Sequence, residues 1–195
     1  FVEVYEQPNH LGAGTGLNVW DGAILLAKYL EQNQSLIQGK RVVELGSGCG
    51  LVGISAAVLG ATHVFLTDLP YTMDLLKQNV SRNLLFKDKI SCCVWDWNTT
   101  DPPPLNGSNV VLIADCVWVQ ELVPPLVKTL KHIVSNCHDK RQLNVLISYQ
   151  QRGQTAHDLF WENMNEIFSK IECMDVSLTK PEQLNVFKLS LEPDV

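Results

Sequence analysis

From residue 20 onward the chain switches repeatedly between two apolar patterns, one recurring every three to four residues and one running almost unbroken for about five. The first pattern marks one face of a helix, the second a short strand buried on both faces. Residues 21–32 place Ala23, Leu26, Ala27 and Leu30 on one helical face, with Asp21 as an acidic start. Residues 41–45 read as a strand that ends in a glycine-rich turn, and 51–59 as an alanine-rich helix slim enough to lie close to a sheet. A second strand over 62–67 follows, then a helix started by Pro70 with the face Met73, Leu76, Val80 and Leu84, then a third strand over 90–95. Residues 99–108, with three consecutive prolines and Asn106-Gly107, predict a surface connection into a fourth strand over 109–114. The helix from Glu121 tolerates Pro124 and Pro125 in its first turn and turns Leu126, Leu130, Ile133 and Val134 to the core. A fifth strand over 143–149, a helical run carrying His157, Phe160, Trp161, Met164, Ile167 and Phe168, and extended runs over 171–178 and 185–191 complete the chain.

Strands alternating with helices predict an α/β fold, a sheet of seven strands with helices on both faces. With no internal repeat and no long linker, residues 1–195 are read as one domain. Residues 1–19 form a lead-in, and a chain that opens on Phe1 rather than Met is read as truncated there.

Composition narrows the function. An apolar fraction of 46% with 18% charged residues is that of a globular protein, and no apolar run reaches the roughly 20 residues of a membrane span. Fifteen Lys and Arg against 21 Asp and Glu give a net charge of −6, and the basic residues are scattered, so a nucleic-acid backbone is not the expected partner. An acidic enzyme is better matched to a basic target such as a lysine-bearing protein segment. Cys49, Cys92, Cys93, Cys116, Cys137 and Cys173 form no C-x-x-C pair and stand near no histidine cluster, which argues against a metal site. Mostly set in apolar runs, they suit a reducing compartment, the cytoplasm or also the nucleus. The sequons at Asn79, Asn98 and Asn106 are read as chance triplets.

Candidate chemistry gathers where strands end. In Glu44-Leu45-Gly46-Ser47-Gly48-Cys49-Gly50 the spacing is G-x-G-x-G rather than the G-x-G-x-x-G of dinucleotide sites. Closely spaced glycines let the backbone approach a nucleotide-like ligand, and Gly53 keeps a dinucleotide open on the loop alone. Glu44 weighs against a diphosphate and suits a cationic ligand, unless it pairs with Arg41 or Lys40. Asp68 ends the second strand at the spacing from the central glycine where an acid reaches ribose hydroxyls, with a helix N-cap as the other reading. Trp97, after the third strand, either covers an adenine face or packs in the core, and Trp95 is assigned to the opposite side of the strand.

Together these residues resemble the seven-β-strand methyltransferases, and more narrowly the protein-lysine methyltransferases of the methyltransferase-like 21 group. The resemblance runs over nearly the whole chain and is most specific in the combination of Val19-Trp20-Asp21 before the first helix, Trp97 after the third strand and the acidic motif after the fourth, while Glu44 to Gly50, Ala114-Asp115-Cys116-Val117, Pro125-Leu126-Val127-Lys128-Thr129-Leu130-Lys131 and Tyr149-Gln150-Gln151-Arg152 match in wording within that group. It implies a Rossmann-like, mostly parallel sheet with an antiparallel C-terminal strand, and S-adenosylmethionine as cofactor. Trp20, Glu44, Gly46, Ser47, Gly48, Asp68, Trp97 and Ala114 would then form the cofactor site. The implied partner is a protein carrying the target lysine, of the class of a chaperone-like ATPase or a translation factor. The family's acidic motif reads D-x-x-Y, and Trp118 stands here where the tyrosine is expected. Asp115 is expected to orient the incoming ammonium and Trp118 to pack against it by a cation–π contact, both as catalytic residues. Tyr149 to Arg152 would border the substrate. A small-molecule methyltransferase and a cofactor-binding scaffold without catalysis are the rival readings.

Overall fold

The computed structural model describes residues 1–7, 14–99, 102–103, 105, 107–176 and 183–191. Among them seven strands form one sheet: β1 (Arg41–Leu45), β2 (His63–Asp68), β3 (Ile90–Val94), β4 (Val110–Ala114), β5 (Asn144–Gln150), β6 (Lys170–Met174) and β7 (Leu184–Ser190). Their order is β3-β2-β1-β4-β5-β7-β6. The pairs from β3 to β5 are parallel, and β7 runs antiparallel to both β5 and β6. Five helices connect them: α1 (Asp21–Gln32), α2 (Leu51–Val58), α3 (Met73–Arg82), α4 (Val123–Asn136) and α5 (Gln154–Ile167).

Side chains alternate across a strand, so each strand feeds two cores. Val42, Val64, Leu66, Val110, Leu112 and Leu146 face α1, α2 and α3. Val43, Leu45, Phe65, Val111, Ile113, Val145 and Ile147 face α4 and α5. In α3 the buried residues are Met73, Leu75, Leu76, Asn79 and Val80. Leu84, expected on that face, is 65% exposed, because the helix ends at Arg82 and the chain has left the helical phase. Trp95 does not oppose Trp97. Residues two apart on an extended chain share a side, and both rings pack toward the α4 and α5 core. The expected strand over 171–178 stops at Met174, and its last two positions fall outside the described residues, as do four positions of the 99–108 connection.

Residues 1–7 form a strap along α3. Asn83 Nδ2 donates to Glu3 C=O at 2.8 Å while its Oδ1 accepts from Glu3 N–H at 3.2 Å. One turn earlier Asn79 makes the same pair with Tyr5, at 3.0 and 2.9 Å, and also donates to Cys49 C=O at 2.9 Å. The two asparagines thus act as strand-like partners for the strap. Asn79 is fully buried, so its sequon presents no acceptor in the folded chain.

Candidate active site

Parallel register brings the ends of four strands to one level. Leu45 pairs with Thr67 on one side and Ile113 on the other, and Asp68 pairs with Val94. Gly46, Asp68 and Ala114 therefore leave the sheet together. The chain winds from β1 toward β2 and β3 but from β4 toward β5, so the loops after β1 and β4 diverge and open a crevice between them.

The turn after β1 is built by its own polar groups. Gly48 takes φ +52°, where a side chain would be strained, and a Cβ there would stand 3.0 Å from Gly16 C=O. Gly48 N–H donates to Asp68 Oδ2 at 2.6 Å, and Leu69 N–H to Asp68 Oδ1 at 2.7 Å. Asp68 thus braces the turn and keeps further lone pairs on each oxygen. Burial pushes its carboxyl up from the ordinary value, against those two N–H donors. Ser47 borders the cavity, but its hydroxyl donates to Glu44 C=O and accepts from Thr67 N–H, so it is a strut between β1 and β2.

Glu44 falls on the face shared with α2, two residues after Val42. It is 1% exposed, and its Oε2 accepts from Gly53 N–H at 2.9 Å in the first turn of that helix. Neither Arg41 nor Lys40 is its partner. Burial pushes its carboxyl up to about 8, so at neutral pH it is mostly a neutral acid rather than the standing negative charge expected from the sequence.

The walls are aromatic. Trp97 lays its ring edge 3.4 Å from where a Gly46 side chain would begin, and its buried Nε1–H has no hydrogen-bond partner. Trp20, 40% exposed, donates Nε1–H to Thr15 C=O at 2.9 Å. Trp118, 42% exposed, lines the same cavity, as do Leu122 and Pro125. The lip from Gly14 to Val19 and the Tyr71 hydroxyl, which accepts from Gly16 N–H at 3.1 Å, complete the enclosure. Neither was singled out beforehand, although Gly14-Thr15-Gly16 ahead of Val19-Trp20 is a readable signal of close backbone approach.

Asp115 follows Ala114 with φ +56°, a left-handed conformation that few residues with side chains adopt, and its N–H still bonds Ser148 C=O at 3.1 Å. Its side chain is 2% exposed and pairs with Arg152 Nη2 at 2.9 Å. Tyr149, by contrast, turns away: it is buried against α5 with its hydroxyl 2.7 Å from His157 Nδ1, so only Arg152 of the Tyr149 to Arg152 run reaches the site. Burial and neighbouring carboxyls push the Cys49 thiol up to about 12 and Cys116 higher still, so neither is a nucleophile at neutral pH.

The enclosed cavity is about 400 Å³, within the range of small-molecule sites. Every predicted site residue lines it: Trp20, Glu44, Gly46, Ser47, Gly48, Asp68, Trp97, Ala114, Asp115 and Trp118.

The model of the family described as "Lysine methyltransferase" matches residues 5–167. The chain belongs to the lysine methyltransferase family. The EEF1A lysine methyltransferase 3 of Xenopus tropicalis is 31% identical over 183 residues, 93% of this chain and 78% of that protein. The protein N-lysine methyltransferase METTL21A of the same organism is 34% identical over 193 residues, 97% and 83% of the two chains. Among solved structures, magnesium protoporphyrin IX methyltransferase from Synechocystis, solved with S-adenosylmethionine, superposes with a TM-score of 0.62 at 14% identity over 87% of this chain and 78% of that one. That likeness concerns the fold. This lysine methyltransferase uses S-adenosylmethionine, and its cavity fits that molecule. The backbone turn at Gly48 leaves room for close approach, the orphaned Trp97 N–H offers a donor, and a wall on which the described lining residues include carboxyl groups but no Lys, Arg or His suits a sulfonium and an amino group.

Proposed function

We propose that the protein transfers a methyl group to a lysine side chain of a protein substrate that enters between Trp20 and Trp118, with Asp115 receiving the amine. What carries this reading is a carboxylate almost without solvent exposure, with a left-handed backbone at the end of β4, that lines the same cavity as the glycine turn and two half-exposed indoles. Asp68, the Gly46 to Gly48 turn, Trp97 and Ala114 would hold S-adenosylmethionine, with Glu44 beneath it as a buried acid. When bound, that molecule supplies a methyl group on a positively charged sulfur.

The chain's own residues then have three tasks. Trp20 and Trp118 desolvate the aliphatic stem of the lysine and attract its charged head, a contact of about 0.5–2 kcal/mol. Asp115 accepts a hydrogen bond from the nitrogen and fixes its direction of approach, which is where most of the rate advantage of a displacement reaction lies. Trp118 offers a π-face and one N–H donor where the family tyrosine offers a hydroxyl, so it grips without accepting a hydrogen bond.

The motifs around Asp115 and from Pro125 to Lys131 support a kinship with the valosin-containing-protein lysine methyltransferase within the methyltransferase-like 21 group, and with it a chaperone-like ATPase as target. The relative named for EEF1A supports a translation factor instead. Six free cysteines support a reducing compartment, the cytoplasm with the nucleus second. Incubating the protein with labelled S-adenosylmethionine and cell extract tests the activity. Label in protein that is lost with Asp115→Asn is expected, whereas an Asp115→Asn variant as fast as wild type removes the role assigned to that residue.

A further inference from the structure

The cavity is acidic to a degree that creates a problem for its own reaction. Among the described residues that line it, Asp68, Asp96 and Asp115 carry carboxyl groups beside the buried neutral acid Glu44, and none is Lys, Arg or His. Negative neighbours favour the charged form of an amine, and an ammonium has no lone pair with which to attack. A free lysine, with its pKa near 10.4, is already protonated at neutral pH.

Arg152 opposes that field. It arrives from the segment after β5, places Nη2 2.9 Å from Asp115 Oδ2, and sets its guanidinium 5.5 Å from the Trp20 ring centroid. Its side chain is one-third exposed at the mouth, while that of Asp115 is sealed. Asp115 is also pressed against α1: a Cβ on Gly22 would stand 3.0 Å from Asp115 Cβ and 3.1 Å from Cγ. The carboxylate thus packs where α1 presents a glycine, and Arg152 engages one of its two oxygens. The other titratable groups carried to this edge are Asp21 at the head of α1, Glu44 within β1 and Cys49 after it, Asp68 at the end of β2 and Tyr71 after it, Asp96 after β3 and Cys116 beside Asp115.

On the reading that Asp115 receives the lysine, we propose that Arg152 is a positioning residue that offsets the Asp115 charge, so that the amine is delivered neutral to the remaining carboxylate oxygen. The ammonium gives its proton to solvent water on entry. The nitrogen lone pair forms the new N–C bond, the electrons of the broken C–S bond stay on sulfur, and the product departs as a methylammonium. Arg152 thereby sets the pH range in which the enzyme works, which packing alone would not do.

The test is the pH profile of labelled methyl transfer into extract proteins from neutral to alkaline pH, for wild type, Arg152→Gln, Arg152→Lys and Asp115→Asn. Affinity for S-adenosylhomocysteine by calorimetry and thermal unfolding accompany each variant. Arg152→Gln is expected to lose about tenfold in rate at neutral pH and recover most of it near pH 10, a shift of about one unit. Arg152→Lys keeps the wild-type shape, and cofactor affinity is the same throughout. In Asp115→Asn the unopposed guanidinium moves the acid limb of any residual rate the other way, which keeps the proposal testable if Arg152→Gln fails to fold. An Arg152→Gln profile parallel to wild type at every pH, or an acid limb in Asp115→Asn that stays in place, overturns the proposal. Absence of protein labelling by wild type, or full speed in Asp115→Asn, instead overturns the reading on which it rests.

Discussion

Replacing Asn79 by alanine probes whether the N-terminal strap and the glycine turn form one unit. Asn79 is fully buried on α3 and makes three side-chain hydrogen bonds, two with the Tyr5 backbone and one to Cys49 C=O. The Tyr5 groups can turn to water when the strap lifts, but the Cys49 carbonyl is left buried. Three bonds of roughly 0.5–1.5 kcal/mol each and one stranded acceptor at about 1–3 kcal/mol, less roughly 0.5 kcal/mol for the better helix propensity of alanine, amount to about 2–7 kcal/mol. For a chain of this size that lowers Tm by about 10 °C. Because the strap continues into the lip, with Gln7 N–H on Leu17 C=O at 3.0 Å, affinity for S-adenosylhomocysteine falls in parallel. Asn83→Ala is the control. Its side chain holds Glu3 and its own helix at Asn79 C=O but does not reach the turn, so about 1.5–4.5 kcal/mol is lost with cofactor affinity intact. Thermal unfolding with calorimetry decides it: an Asn79→Ala loss below about 1 kcal/mol, or unchanged affinity, refutes the coupling of strap to turn.

Three further outcomes follow from the site. Gly48→Ala forces a side chain into φ +52° and toward Gly16 C=O, so calorimetry should show at least a tenfold loss of S-adenosylhomocysteine affinity, about 1.4 kcal/mol, and the left-handed strain of about 1–2 kcal/mol should lower Tm by about 2–8 °C. Glu44, raised in the folded state from 4.5 to about 8, keeps a proton there that the unfolded chain has released. Stability therefore falls as pH rises from about 4.5 through about 8 and levels off above. Glu44→Gln keeps an acceptor for Gly53 N–H and should flatten that slope in thermal unfolding measured against pH. Trp118→Ala should raise KM for the protein substrate several-fold, corresponding to about 1 kcal/mol of lost contact, while cofactor affinity stays unchanged; an unchanged KM would remove Trp118 from the mouth.

Much of this arrangement is legible in the chain. The apolar runs at Val42-Val43 and Val110 to Ile113, each stopped by a polar or glycine position, mark buried parallel strands whose ends align. Gly46, Asp68 and Asp115 can then be placed on one edge by winding rules alone. The inward turn of Glu44 was readable too, since it shares the parity of Val42. Other parts depend on contacts no local pattern encodes. The strap has neither helical nor strand periodicity, and its partners are asparagine side chains some 75–80 positions away. Tyr149 and Arg152 are three apart, yet one closes the α5 core and the other reaches Asp115, because β5 ends between them at Gln150. Leu84 shows the converse, an apolar residue in helical phase stranded where the helix has already ended.

The most direct test is peptide mapping by mass spectrometry of the proteins this enzyme labels in extract. A methyl group on a lysine ε-nitrogen, present with wild type and absent with Asp115→Asn, is the predicted result. Methylation of a different residue type, or of small molecules with no protein labelled, would contradict it.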